Sequence, residues 1–278
     1  MVNSLSNALE IVVRTDPGMV RGQNEDAVFA NPNRGYVILA DGMGGYNAGE
    51  VASGMATMFL SSELETAFVA TPPHQIDRAT GELFAHRCIL DKVAMTNTAI
   101  YNTSESQAQY AGMGTTLVLA LFYDNQMTVA HIGDSRLYRL RGDDFSVITR
   151  DHSLLQEQID SGMISAEDAR FSQNKNLVTR ALGVDPEVET ELSDHPVQPG
   201  DIYLLCSDGL NDMVEDEEIH LTLQMLAANL ELAATQLIQM ANDNGGRDNV
   251  SVILVKVLRD FPADRGWRSK FMTWLRTR

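Results

Sequence analysis

Twice in this chain a run of large apolar residues ends directly on an acidic turn. Val37-Ile38-Leu39-Ala40 runs into Asp41, and Tyr203-Leu204-Leu205-Cys206 runs into Ser207-Asp208. Short continuous apolar runs of this kind fit strands buried on both faces. An ionised carboxylate beside such a strand is costly unless it is paired or coordinates a cation. The fold must therefore bury these strands and still compensate the charge at their tips. The chain carries 21 Lys and Arg against 38 Asp and Glu, and few of the basic residues adjoin these turns. A shared cation is the economical counter-charge.

The remaining pattern supplies a scaffold. Residues 9–14, 26–31 and 36–40 read as strands, separated by Asp16-Pro17-Gly18 and Asn31-Pro32-Asn33. After the glycines at 42, 44, 45 and 49 the pattern becomes helical over 50–68, with Val51, Met55, Met58 and Phe59 at helix spacing. A second helix is expected over 76–102, with Ile76, Ala79, Leu83, Leu90 and Ala94 on one face. Strands return at 115–123, 127–132, 137–140 and 146–149, with hairpin turns at Asp124-Asn125 and Gly142-Asp143-Asp144. Ser153 and Gln156 resemble a capping box opening a short helix that closes near Gly162. Residues 163–178 read as a mobile loop. Strands at 188–192 and 202–206, helices within 215–242 and a strand at 250–257 complete the body. Strict strand–helix alternation would predict a parallel sheet, and it is absent. The expected fold is α+β: two antiparallel β-sheets packed as a central sandwich, flanked by helices on both sides (α-β-β-α). No internal repeat is visible.

A chain of 278 residues fits one large domain or two small ones. Its formal charge of −17 argues against binding the phosphate backbone of nucleic acids. It fits a solubilising acidic surface or a site that collects cations. Cys88 and Cys206 form no zinc spacing and no disulfide framework, which suits a reducing compartment. Cys206 reads as a buried thiol in an apolar run. No basic start with a long apolar run marks a signal peptide, and no apolar stretch approaches ~18 residues. A cytoplasmic protein is expected. The segment 259–278 holds six basic and two acidic residues, 6 − 2 = +4, which leaves −17 − 4 = −21 on the body. Trp267, Phe271, Met272, Trp274 and Leu275 make that basic segment amphipathic. It suits a terminal helix docked on its own acidic body, or contact with an acidic partner or membrane surface. Nothing suggests an obligate oligomer, and a monomer is expected.

Five acidic motifs border predicted strands: Asn24-Glu25-Asp26, Asp41-Gly42-Met43-Gly44-Gly45, Gly133-Asp134-Ser135-Arg136, Ser207-Asp208-Gly209 and Gly246-Arg247-Asp248-Asn249. Any one alone reads as a turn. Carboxylates, carbonyls and water are hard oxygen donors, suited to Mg2+ and Mn2+. The six histidines show no zinc spacing, and His131 and His152 read as structural hydrogen-bonding residues. The glycines of 42–45 lack the Lys-Ser/Thr pair of a nucleotide phosphate loop, for Tyr46-Asn47 follow. A steric role is expected instead, with the backbone brought close to a metal and the Gly42 carbonyl free to ligate.

In this order the motifs resemble those of the metal-dependent protein phosphatases of type 2C (PPM), in their compact bacterial form. The resemblance runs through Thr15-Asp16-Pro17-Gly18-Met19-Val20-Arg21-Gly22-Gln23-Asn24-Glu25-Asp26, Asp41-Gly42-Met43-Gly44-Gly45 and Gly112-Met113-Gly114-Thr115-Thr116. It continues through His131-Ile132-Gly133-Asp134-Ser135-Arg136, Asp151-His152-Ser153-Leu154 and Thr179-Arg180-Ala181-Leu182-Gly183. Ser207-Asp208-Gly209-Leu210 and Gly246-Arg247-Asp248-Asn249-Val250 close it. It covers about residues 9–257 and implies a phosphatase domain at 1–258 with a separate tail at 259–278. It implies further that Asp41 bridges two Mn2+ or Mg2+ ions. Asp208 and Asp248 would complete one site, and Glu25 with the Gly42 carbonyl the other. Asp26 would hold a metal-bound water, Asp134 with Asp208 a third, weaker ion, and Arg21 the substrate phosphate. Residues 163–178 correspond to the flap beside the site.

The implied reaction is hydrolysis of phosphoserine and phosphothreonine by a metal-activated water, which needs no protein nucleophile. Neither cysteine has an arginine six residues on, so no cysteine-based phosphatase loop is present. One departure stands out. Some eukaryotic members carry a histidine just after Asp-Gly, a candidate general acid, where this chain has Met43. The sequence does not name the group that protonates the leaving alkoxide. The implied partners are Ser/Thr-phosphorylated proteins, with a cognate kinase to oppose. Two other readings stay open: a catalytically silent sensor or scaffold, and a phosphatase of a small phosphorylated metabolite.

Overall fold

The first strand, β1 (Leu9–Asp16), pairs with the last, β11 (Val250–Val257), antiparallel from Leu9–Val257 to Asp16–Val250. The first and last strands are thus neighbours in one sheet. This computed structural model describes residues 4–45, 48–165, 168 and 177–263. One sheet runs β1-β11-β10-β7-β8, where β7 is Arg136–Arg141, β8 is Asp144–Val147 and β10 is Ile202–Cys206. The other runs β2-β3-β5-β6-β9: Asp26–Asn31, Tyr36–Met43, Leu117–Tyr123, Gln126–Ile132 and Glu191–Pro196, with β4 (Gly114–Thr115) beside β3. All the strand pairings are antiparallel.

The continuous apolar runs are explained by burial on both faces. Along β3, Tyr36, Ile38 and Ala40 face α1 (Ala48–Ala70) and α2 (Phe84–Ser106), while Val37 and Leu39 face the opposing sheet. Along β10, Ile202, Leu204 and Cys206 face α5 (Asp216–Met225) and α6 (Leu230–Asp243), while Tyr203 and Leu205 meet the inter-sheet core. Three apolar layers therefore separate four layers of structure, the expected α-β-β-α sandwich. Each fully buried large side chain contributes about 1.5–3 kcal/mol. Two short helices, α3 (Leu154–Asp160) and α4 (Asp208–Asn211), lie at one end of the sandwich.

Several local expectations need correction. The second helix begins at Phe84, not at 76. Ile76 instead bridges Leu83, and the Asp77 carboxylate caps the turn by accepting from the Ala79 N–H at 2.8 Å. The strand expected at 188–192 lies at Glu191–Pro196, where pairing with β6 sets the register. Ser153 accepts from the Gln156 N–H at 3.2 Å, but the Gln156 side chain turns to Asp160, so only half of a capping box forms. The Asp124-Asn125 hairpin turn has the expected left-handed backbone, φ 48° and 57°. Most of the loop at 163–178, and 264–278 of the tail, lie outside the described residues. The tail's first residues fold back: Phe261 is buried, and its N–H donates to Asn125 Oδ1 at 2.6 Å.

Candidate metal centre

Antiparallel pairing gathers the acidic strand tips at one end of the sandwich. Asp26 opens β2 directly opposite Asp41 on β3, with Glu25 just outside. The tip of β10 leads into Asp208, beside Asp248 before β11. After β6, Gly133 turns at φ +105° into Asp134. Glu25, Asp41, Gly42, Asp134, Asp208, Asp248 and Arg21 line one cavity of about 280 Å3, together with Met43, Gly44, Thr116 and Val178. Asp26 lies beside this wall, partly buried, with its Oδ1 out of solvent. Every site residue expected from the sequence is therefore in the cavity or against it.

Backbone locks hold the carboxylates in place. The Asp41 N–H donates to Thr116 Oγ1 at 3.0 Å, and the Asp41 carbonyl accepts from the Thr116 N–H at 2.8 Å. Asn249 accepts the Glu25 N–H at 2.8 Å and donates to the carbonyls of Pro17 and Gln23. Ser207 Oγ donates to Asp26 Oδ2 at 2.8 Å, and Ser53 Oγ to the Glu25 carbonyl at 2.6 Å. At Gly42 a Cβ would fall 2.1 Å from the Gly49 carbonyl oxygen and 2.6 Å from that of Glu25, so no side chain fits. The Gly49 N–H at the start of α1 steadies the Glu25 carboxylate, with the helix dipole favouring the charge. Sequence reasoning assigned no role to Thr116, Asn249, Ser207, Ser53 or Gly49. Thr116, Ser207 and Asn249 nonetheless lie inside the quoted motifs, which is the signal that could have found them.

The electrostatics are those of a site built for cations. Burial first, then the neighbouring carboxylates, push Asp41 and Asp208 well above the ordinary aspartate range. Burial also raises Asp26 and Asp134 to about 6. Glu25 is raised as well, chiefly by desolvation. Against these stands Arg21, half exposed and bonded to Asp248 at 2.6 Å. Asp26 Oδ1 is buried without a donor, and the nearby Asp41 cannot donate when ionised. Such orphaned acceptors and repelling carboxylates fit divalent ions and the water they carry. Among the described residues no histidine or cysteine lines the cavity, so its donors are hard oxygens, as Mn2+ and Mg2+ require.

Among the described residues, the side chains that bring three ligand atoms within 4.8 Å of one another are His131, His152 and Glu191, not the cavity carboxylates. The carboxylates are spread more widely, as ligands shared between ions are. His152 has the structural bonds expected of it, whereas both ring nitrogens of His131 lack a partner of good geometry, although the backbones of Gly133 and Ser135 lie near. Both cysteines are buried and free. Another cavity, about 300 Å3, is mainly apolar, lined by Phe68, Phe122 and Pro72, with Asp124 its one acid. It offers no comparable chemistry. No helix among the described residues is long and apolar enough to cross a membrane.

The family model for protein phosphatase 2C matches residues 21–254. The serine/threonine phosphatase stp of Listeria monocytogenes is 41% identical over 246 residues, covering 87% of this chain and 94% of that protein. The crystal structure of the Mycobacterium tuberculosis serine/threonine phosphatase PstP/Ppp superposes with a TM-score of 0.80 at 38% identity, covering 91% of this chain and all of that one. The catalytic domain of the serine/threonine phosphatase PstP, crystallised with two manganese ions, gives a TM-score of 0.76 at 39% identity, covering 90% and 99%.

Proposed function

This chain belongs to the protein phosphatase 2C family, and on that premise we propose how its cavity removes phosphate from phosphoserine and phosphothreonine. The protein is a metal-dependent serine/threonine protein phosphatase, with Mn2+ or Mg2+ as cofactor. The observation that carries the mechanism is the convergence of five carboxylates and one arginine on a single cavity. Asp41 would be shared between two ions, with Asp208 and Asp248 holding one and Glu25 with the Gly42 carbonyl the other, and Asp134 with Asp208 would hold a third and weaker ion. Such ions would supply charge to polarise the phosphate and lower the pKa of water.

The chain's own groups orient the reactants. Asp26, fixed through Oδ2 by Ser207, offers its free Oδ1 to the water that attacks phosphorus. Arg21, half exposed at the cavity mouth, grips the phosphate oxygens by a charge-assisted contact. No side chain serves as nucleophile. Ser207 Oγ is buried and committed to Asp26, and both cysteines are buried. Met43 lines the cavity and cannot donate a proton.

Residues 1–258 act as the phosphatase domain; the tail 259–278 starts packed against it through Phe261, and beyond that contact it reaches an acidic partner or membrane surface. The protein opposes a Ser/Thr kinase in signalling, in the cytoplasm, as a monomer. Buried thiols without disulfides support a reducing compartment. The test is phosphate release from a phosphothreonine peptide. Activity should require Mn2+ or Mg2+, vanish with chelator and fall at least ~100-fold in Asp41→Ala, on the scale of lost electrostatic stabilisation. Full activity in that variant would sink the assignment.

A further inference from the structure

The turn that presents Asp134 is held by a residue outside the cavity. The Gly133 carbonyl accepts the backbone N–H of His152 at 2.7 Å. The Gly133 N–H in turn donates to Nδ1 of the His152 ring at 3.1 Å. A ring nitrogen that accepts a hydrogen bond carries no proton, so the proton sits on Nε2. There it faces Glu191 Oε2 at 3.2 Å, on the first residue of β9. Both sides of the Gly133 peptide are thus gripped by one buried histidine whose tautomer a carboxylate fixes. The same segment holds the opposite wall of the cavity, for the His152 carbonyl accepts the Thr179 N–H at 2.8 Å, and Ser153 bridges Val178.

His131, His152 and Glu191 also satisfy the spacing of a single-ion site, and His131 is buried with both ring nitrogens unpartnered. Ligation by His152 would need a free lone pair. Its Nδ1 lone pair is spent on Gly133, its Nε2 carries the proton, and the Arg180 guanidinium lies 3.4 Å from Nε2, where it repels a cation. Burial lowers the basicity of both rings and keeps them neutral. The cluster is therefore built as a clamp rather than a ligand set.

We propose that His152, oriented by Glu191, is a positioning residue that fixes the Gly133–Asp134 turn and so sets the protein's affinity for its weakest divalent ion. This rests on the reading of Asp134 as a ligand of a third ion. Groups that orient ligands are worth roughly 10–100-fold in metal affinity. The substitution His152→Asn keeps an acceptor oxygen near the place of Nδ1, whereas His152→Leu does not.

The experiment is calorimetric titration of Mn2+ into the chelator-stripped full chain, with circular dichroism confirming the fold. Asp134→Asn should abolish the weakest site. His152→Leu should weaken that site at least ~10-fold and leave the tighter sites unchanged, and His152→Asn should restore most of the loss. An unaltered weak site in His152→Leu overturns the clamp, as does His152→Asn behaving no better than His152→Leu. If Asp134→Asn retains the weak site, the ligand reading of Asp134 fails, and the clamp falls with it. If His152→Leu does not fold, Glu191→Leu and Glu191→Gln carry the test. The first should weaken the site about threefold and the second should not, and equal behaviour overturns the proposal. An additional Zn2+ site that disappears in His131→Leu would also overturn it.

Discussion

At Asp208 the requirements of catalysis and of folding oppose each other. Its carboxylate lines the cavity and is partly buried, and Asp134, Asp212, Asp248 and Asp26 add repulsion to the desolvation. Without metal, an ionised Asp208 works against the native state; as the proposed ligand, it would be compensated by the ion it holds. Asp208→Asn preserves shape and removes the charge. It should raise the melting temperature of the chelated protein while lowering phosphatase activity ~100-fold or more. Thermal melts in chelator, paired with peptide assays in Mn2+, check both halves. A lower melting temperature in chelator would show that the carboxylate is tied by donors rather than strained by neighbours. Asp208 was legible in the sequence because an apolar strand ran straight into it. The supports of the cavity were not: Thr116, Ser207 and Asn249 act on distant chain segments, as where the Glu25 N–H donates to Asn249 across 224 residues and the Ser251 N–H to Ser207 Oγ across 44. Only the folded topology makes those meetings.

Elements show the same division between what is local and what is not. Strands β10 and β11 fall where turn residues and apolar runs place them, because both faces are buried and the signal is continuous; β2 is only partly buried, and the turn residues that bound it fix its limits. The start of α2 was misplaced because Ile76, Ala79 and Leu83 have helical spacing, yet the Asp77 turn and the Ile76–Leu83 bridge hold that stretch outside the helix. Edge strand β9, Glu-Leu-Ser-Asp-His-Pro, is half exposed and polar, so its own sequence says little and pairing with β6 decides. The junction of β3 with α1 yields a prediction. At Gly42 and Gly49 two backbones touch, and a Cβ on Gly42 would overlap the Gly49 carbonyl at 2.1 Å. Backbone cannot rotate aside as a side chain can. Gly42→Ala should cost about 1–3 kcal/mol and displace Glu25, lowering Mn2+ affinity along with stability. Denaturant unfolding and Mn2+ titration measure the two effects, and an unchanged midpoint would mean that the junction has slack.

For the molecule as a whole, the buried carboxylates couple stability to both pH and metal. Asp26 and Asp134 move from an ordinary 3.8 to about 6 in the folded, metal-free protein, chiefly through burial. The folded state therefore binds protons more tightly than the unfolded chain. The stability this provides is complete below about pH 4 and is lost as pH rises through about 6. The melting temperature in chelator should accordingly fall between pH 5 and 7.5. Mn2+ at a hundredfold excess over its dissociation constant adds about 2.7 kcal/mol per site, roughly 5–10 °C for a chain of this size. That gain should be largest at the alkaline end, where no protons compete. The diffuse charge of the body also grows with pH and would produce a fall of the same sign. Salt separates the two causes. Repulsion between exposed carboxylates is screened over about 3 Å at 1 M salt, whereas buried groups are screened much less. If the fall persists in high salt and disappears in the Asp26→Asn/Asp134→Asn double variant, the cavity is its source. If salt alone removes it, the surface charge is responsible, and the cavity carboxylates share their protons more readily than their burial implies.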